Sequence, residues 1–461
     1  MRTNATISIP LFQPLANTFA RYTNFVVVVV MLFGGAARQG LWSDAIVQLA
    51  ALPLLIWAVF RLGAAELDRP AKYALFLACA FVLLPIVQLI PLPPALWTAL
   101  PGRDQIASDY KAAGLALSWL PVSLNPVGTG RSLFSLLPAT AIFLAMLSLD
   151  RRARRTLLSI MFVVALISIA IGFLQIVGGV PYFYAITNEG MAVGFFANGN
   201  HNATFFACAI PYVAAFTIEG YAYQSSRMRL PYLITLIALI IGLAIVGSRA
   251  GMGLGLVAGV LCVAMASRFD LRRNRRVLLV AIAGFLVAGV IAVQFAIAGW
   301  QKRGTEARGI VEDLRWPVAI VTLQAAQKYL PFGTGFGTFV PIYQMVAPPS
   351  DLREPYINHA HDDWLELSLE GGIPALACLT GFVVWFAIVT ARAWRKRSDV
   401  PLDRNLARAG SIAIVLIMLH SFVDYPIRSV AIMTVFALSC GFLLSPKRDA
   451  NSSDSDLVMR Q

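Results

Sequence analysis

The densest run of reactive side chains is His359-Ala360-His361-Asp362-Asp363, which stands just ahead of the apolar segment Trp364–Pro374. It holds two of the chain's four histidines, one residue apart, followed directly by two carboxylates. Imidazole changes charge near neutral pH, so such a pair is suited to moving a proton. Three readings compete. His361 or His359 acts as a general base toward a hydroxyl, with Asp362 or Asp363 orienting the ring. Alternatively, two imidazoles and a carboxylate bind a metal, although the spacing matches no standard zinc pattern. In the third reading the aspartates simply cap the helix that follows. Asp362, Glu366 and Glu370 recur every four residues and so share one face of that helix.

Other groups have a chemical and a structural reading side by side. Arg249, in Gly247-Ser248-Arg249-Ala250-Gly251, has small neighbours that let a ligand or another backbone approach. A guanidinium matches phosphate oxygens bidentately, yet it can equally snorkel to lipid headgroups. Arg315, next to Trp316, and Arg38 and Arg428 have the same two readings. Asn198, Asn200, His201 and Asn202 form a polar cluster suited to capping a helix or to binding sugar hydroxyls. The run Pro331–Phe339 (PFGTGFGTF) is glycine-rich but follows no strand of a parallel sheet, so it reads as a tight turn and not a nucleotide loop. Asp424 is expected to pair with a basic neighbour, and His420 to hydrogen-bond within the bundle.

The elements that hold these residues are apolar. Charged residues make up 13% of the 461-residue chain, half the usual share of a soluble domain, and 58% are hydrophobic. This composition predicts an all-α polytopic membrane protein. About twelve spans are expected, near 24–40, 43–61, 72–92, 131–149, 156–178, 203–222, 230–247, 250–267, 277–299, 366–391, 406–424 and 429–446. Residues 1–299 form a first bundle of about nine spans, and 300–365 a large outer loop with short helices. Residues 366–446 hold the last three spans, and 447–461 a polar disordered tail. The first apolar run lacks a cleavage pattern and reads as a retained span.

Strict alternation places 25 of the 37 Lys and Arg residues on one side. The positive-inside tendency makes that side cytoplasmic, together with both termini. The net charge of +13 is thereby explained by topology, with no nucleic-acid partner needed. His201, His359, His361, Arg249 and Arg428 then share the opposite face, periplasmic in a bacterial cell. The five cysteines all lie in apolar runs, so neither a disulfide framework nor a thiolate zinc site is expected.

Read together, five stretches resemble the O-antigen ligase and O-antigen polymerase family of bacterial membrane glycosyltransferases. They are LPVSLNPVGTGRSL, FLQIVGG with Gln175, FFANGNHNA, the Ser248–Gly251 turn, and the run from PFGTGFGTF through HAHDDWLELSLEGGIP to HSFVDYPIR. The likeness covers about residues 120–445. It implies a glycan transferred from undecaprenyl diphosphate to an acceptor hydroxyl, without metal or other cofactor, at the periplasmic face of the inner membrane. His361 matches the family's essential histidine, Arg249 an arginine expected to hold the diphosphate, and Arg315 a further basic position. The acceptor it implies is a lipid A core sugar in a ligase, as in lipopolysaccharide synthesis, or another lipid-linked repeat unit in an O-antigen or exopolysaccharide polymerase. Asp362 and Ala375 depart from the ligase pattern. A transporter or flippase of lipid-linked glycans is the rival reading. Ion-coupled carriers place ionisable groups mid-bilayer, whereas these span centres are nearly free of them.

Overall fold

Apolar runs separated by short polar turns resolve into a helical bundle, because a helix satisfies its own backbone groups within a membrane. The computed structural model has this architecture and describes residues 12–63, 66–180, 182–222, 226–267, 305–348, 357–395 and 401–444. The expected span at 277–299, the basic run Arg268–Arg276 and the tail 447–461 lie outside the described residues.

In chain order the first helices are α1 (Phe12–Phe33), α2 (Trp42–Gly63) and α3 (Arg69–Gln88). Next come β1 (Pro91–Leu92), α4 (Pro94–Trp97), α5 (Asp104–Ala112) and β2 (Leu120–Pro121), with β1 and β2 paired antiparallel. The bundle continues with α6 (Pro126–Ser148), α7 (Arg151–Ile176), α8 (Gly199–Ala222), α9 (Ser226–Val246) and α10 (Arg249–Ser267). After these come α11 (Thr305–Tyr329), α12 (Phe339–Val346), α13 (Asp363–Arg395), α14 (Pro401–His420) and α15 (Val430–Leu443).

Nine of the described helices are long and apolar enough to cross a membrane, namely α1–α3, α6–α10 and α13. The chain is a multi-pass membrane protein. The two remaining expected spans in the described residues, 406–424 and 429–446, are α14 and α15. Asp403, Arg404 and Arg408 occupy the opening turns of α14, and α15 has 14 residues, about 21 Å against a hydrocarbon core of about 30 Å.

The central post is α8, whose apolar window is 94% buried, whereas that of α3 is 17% buried. Small residues let α8 and α14 approach closely, among them Ala209, Ala409 and Ala413. Tyr212 on α8 donates to Ser439 Oγ on α15 at 2.9 Å, beside Gly410 on α14. At one end of the bundle Arg154 ties α7 to the chain ends of α6 and α15 through the carbonyls of Met146, Gly441 and Leu444. The opposite end carries the histidines.

Two of the glycine-rich motifs form a platform under that end. Asn125 caps α6 by accepting from Gly128 N at 3.1 Å, and Thr129 Oγ1 donates to Phe336 O at 2.6 Å. Gly333–Gly337 lies against a break in α13 at Gly372, where φ is +58° and ψ −153°. Across the break, Ile373 N donates to Pro331 O, Thr334 N to Leu369 O and Gly335 N to Glu370 O. A Cβ on Gly372 would stand 2.3 Å from Pro331 O. The tight-turn reading of PFGTGFGTF thus has its physical reason in backbone packing against α13.

One local expectation changes. The helix of the outer loop expected to be short is the 25-residue α11, continuous through Pro317. In the segment after α3, Trp97 is buried and donates Nε1–H to Ser118 O at 2.9 Å. Its neighbour Trp119 is exposed.

Gly372→Ala is expected to lower thermal stability in detergent by several degrees, since this backbone region excludes a Cβ and costs about 1–3 kcal/mol in strain alone. Gly253→Ala, on α10 with open space around it, is expected to leave the melting temperature unchanged or slightly raised.

Candidate functional site

The site is built at the end of the bundle where α8, α10, α13 and α15 begin and α14 ends. Asp362 caps α13, its Oδ1 accepting from Trp364 N at 2.9 Å and Leu365 N at 3.0 Å. The capping role considered for the aspartates is therefore met by Asp362, and its carboxyl is lifted above the usual range by burial. The carboxylate that orients a histidine is instead Glu366, one turn into the helix. Its Oε1 lies 2.9 Å from His359 Nδ1, and its Oε2 accepts from Ala360 N at 2.9 Å. One side chain thereby clamps both a ring and the backbone of the His359–His361 loop.

His361 follows with φ +56°, a left-handed conformation uncommon for a side chain of this size. Its Nδ1 lies 3.0 Å from His359 O. A carbonyl can only accept, so Nδ1 is the protonated nitrogen of the neutral ring and Nε2 carries the lone pair. Burial holds His361 below the ordinary histidine range, opposed by the Asp424 carboxylate and reinforced by Arg315 and His359. A neutral imidazole with its lone pair on Nε2 is equipped to accept a proton.

Beneath the loop, Arg428 stands among three carboxylates of α13. Its Nη1 is 2.8 Å from Glu370 Oε2 and 3.5 Å from Glu366 Oε1, and its Nε is 3.5 Å from Asp363 Oδ1. Ser421 Oγ and Ile427 N donate to Asp363 Oδ2 at 2.8 and 3.3 Å. Phe339 N donates to Glu370 Oε1 at 3.1 Å. Burial would depress the guanidinium, but the three carboxylates outweigh it and push its pKa above its ordinary value.

A second cluster surrounds Asp424. Asn200 Nδ2 donates to its Oδ2 at 2.6 Å, and His201 Nε2 and His420 Nε2 stand 3.7 and 3.8 Å from its two oxygens. Burial raises the Asp424 carboxyl, but His201, His420 and His361 prevail and hold it well below the usual range. As expected, Asp424 pairs with basic groups and His420 bonds within the bundle, its Nδ1 lying 2.6 Å from Thr204 Oγ1.

The polar cluster on α8 divides. Asn202 bonds Ser168 Oγ and Ala192 O, and Asn198 accepts from Asn200 N. Asn200 also accepts from Ser248 Oγ at 2.7 Å, which fixes the turn before the exposed Arg249. Arg38 is exposed next to Ala37, whose carbonyl accepts from Asn358 Nδ2 at 3.2 Å. Arg315, on α11, is close enough to act on the charges of His361 and His420. The structure thus brings His361, His359, Arg315 and the turns bearing Arg249 and Arg38 to one end.

Sequence reasoning missed Tyr425. Its ring lies 4.3, 5.0 and 5.1 Å from those of His359, His201 and His361. An aromatic directly after a buried aspartate in a polar turn was the available signal. An apolar groove of about 270 Å³ also opens at this end. Gln39, Asp363, Trp364 and Arg428 line it at this end, and it continues between α3, α6, α13, α14 and α15 to Trp385 and Cys440.

Residues 234–380 match the family model described as O-antigen ligase. That segment contains Arg249, Arg315, His359 and His361, and ends within α13. No curated protein matches the chain.

Arg428→Met is expected to cost about 3–5 kcal/mol, because three buried carboxylates lose their cation. The check is the yield of monodisperse protein after detergent extraction, which should collapse relative to wild type.

Proposed function

We propose, from the match of residues 234–380 to the O-antigen ligase family model, that the protein is a glycosyltransferase working on lipid-linked glycans at the periplasmic face of a bacterial inner membrane. The donor is a glycan on undecaprenyl diphosphate, and the acceptor a sugar hydroxyl. The observation that carries this reading is the 3.0 Å approach of His361 Nδ1 to His359 O, which puts the lone pair of a neutral ring on Nε2.

In the proposed step, the acceptor oxygen attacks the anomeric carbon and gives its proton to His361 Nε2. The bond from that carbon to the phosphate oxygen breaks, and its electron pair leaves with the diphosphate. Diphosphate is a stable leaving group, so base assistance of about 10²–10⁴-fold is sufficient. The charge it gains needs preorganised cations, which Arg249 and Arg315 supply, with Arg38 at the neighbouring turn. His359 acts through Glu366 by holding the loop, and Asp362 by starting α13 at the right residue. Asn198, Asn200, His201 and Asn202 shape the wall on which the sugars lie. The charged groups stand where a lipid-anchored substrate presents its head, and the apolar groove gives a polyisoprenyl tail a path to the same end.

The orientation follows from the Lys and Arg distribution, which leaves the histidine end on the side poorer in positive charge. Ligase and polymerase share this chemistry and differ in the acceptor.

In proteoliposomes supplied with a lipid-linked glycan donor, His361→Ala and Arg249→Ala are each expected to lose transfer at unchanged protein level. Retained transfer in either variant removes that residue from the mechanism. The rate is expected to fall on the acid side only below the ordinary histidine pKa of about 6.5. The sign follows from burial, which lowers the His361 pKa, so its basic form persists to lower pH. Glycan analysis of a deletion strain separates the two acceptors: single repeat units accumulate if a polymerase is lost, and unligated long polymer if a ligase is lost.

A further inference from the structure

Tyr425 stands where the two histidine clusters meet. It is buried, and its ring meets His361 and His201 edge-on, at interplanar angles of 80° and 87°, and His359 at 35°. Its own position is fixed from three sides. Its backbone N donates to Asp424 Oδ1 at 2.8 Å, Asn358 Nδ2 donates to its hydroxyl at 3.3 Å, and Asn198 reaches the same hydroxyl. Pro426 follows and restricts the backbone of Tyr425 itself. Burial pushes the phenol above its ordinary range, so the group is neutral and takes no part as a base.

A rigid aromatic wall of this kind has two effects on an imidazole. It removes water from one side of the ring, which disfavours the charged form. It also blocks rotation about the χ angles, so that Nδ1 keeps its carbonyl partner and Nε2 keeps its direction. We propose that Tyr425 is a positioning residue for His361, acting through its ring and not its hydroxyl. This rests on the reading of His361 as the base.

The charged and titratable groups facing His361 are Asp424 in the turn before α15, Arg315 on α11 and His359 in its own loop. His201 on α8 faces it across the Tyr425 ring. Changing Tyr425 leaves these side chains in place, but it also uncovers the His359 and His201 rings that pack on it. Loss of the ring admits water to His361, relieves part of the burial and moves its pKa upward. Loss of the hydroxyl alone frees the Asn358 and Asn198 amides but leaves the wall in place.

The test is the pH dependence of kcat/KM for transfer in proteoliposomes, with the full chain and a lipid-linked glycan donor. Tyr425→Leu is expected to move the acid limb to higher pH and to lower kcat by about 10²-fold, the scale of a small misplacement of a reacting group. KM for the donor should stay near wild type. The conservative variant Tyr425→Phe is expected to restore the wild-type limb and most of the rate. If Tyr425→Leu does not accumulate in the membrane, Tyr425→Met carries the same expectation with a volume closer to the native ring. A lowered rate with an unmoved limb in the aliphatic variant overturns the proposal, as does a Tyr425→Phe enzyme as impaired as that variant. Activity in His361→Ala would instead sink the assignment of the base, whatever Tyr425 does.

Discussion

Among the described residues, the Arg428 guanidinium faces Asp363, Glu366 and Glu370 together, and the histidine end is organised around that charge cluster. The three carboxylates project from successive turns of α13, and each reaches the guanidinium within 3.5 Å. An ion pair in a low-dielectric interior repays its desolvation only when its remaining hydrogen-bonding positions are also satisfied. Here the additional donors are Ser421 Oγ and Ile427 N for Asp363, Phe339 N for Glu370, and Ala360 N for Glu366. His359 Nδ1–H gives Glu366 a second polar partner. The loop that holds His361 is thus tied to the charge balance of the bundle by a single carboxylate, not by an independent binding surface.

That arrangement explains why the glycine-rich runs sit where they do. To present Glu366 and Glu370 at the correct height, α13 must be anchored near its start yet turn away below. The break at Gly372, packed against Gly333, provides both. Gln88 adds a further tie, donating to Glu370 O and accepting from Phe336 N. The residues that look most like a ligand loop in this chain are therefore structural, and they act on the site through helix placement.

Much of this was legible from the residues in order. Period and polarity located the helices because a membrane leaves a chain few alternatives, and eight expected spans matched the first eight apolar helices in turn. The spacing of Asp362, Glu366 and Glu370 showed a shared face of one helix. It could not show that Asp362 would be spent on the cap, because helix start and helix face compete for the same aspartate within one residue. Nor could it show that Glu366 would hold His359. That contact needs a loop that folds back over its own helix, with His361 in a left-handed conformation that local sequence does not demand. Arg428 and Tyr425 are contributed from more than 50 residues away, through the packing of α14 and α15 against α8 and α13. Contacts at that separation leave no period in the sequence, so no spacing in the residue order singles out Tyr425.

The central claim concerns one proton. Solution or solid-state NMR of the protein in lipid nanodiscs, with ¹⁵N-labelled histidine, reads the tautomer of His361 directly when compared with His361→Gln. At pH 7 the account requires a neutral ring protonated at Nδ1, with Nε2 showing the shift of an unprotonated nitrogen. A resting imidazolium, or a ring carrying its proton on Nε2, would contradict it.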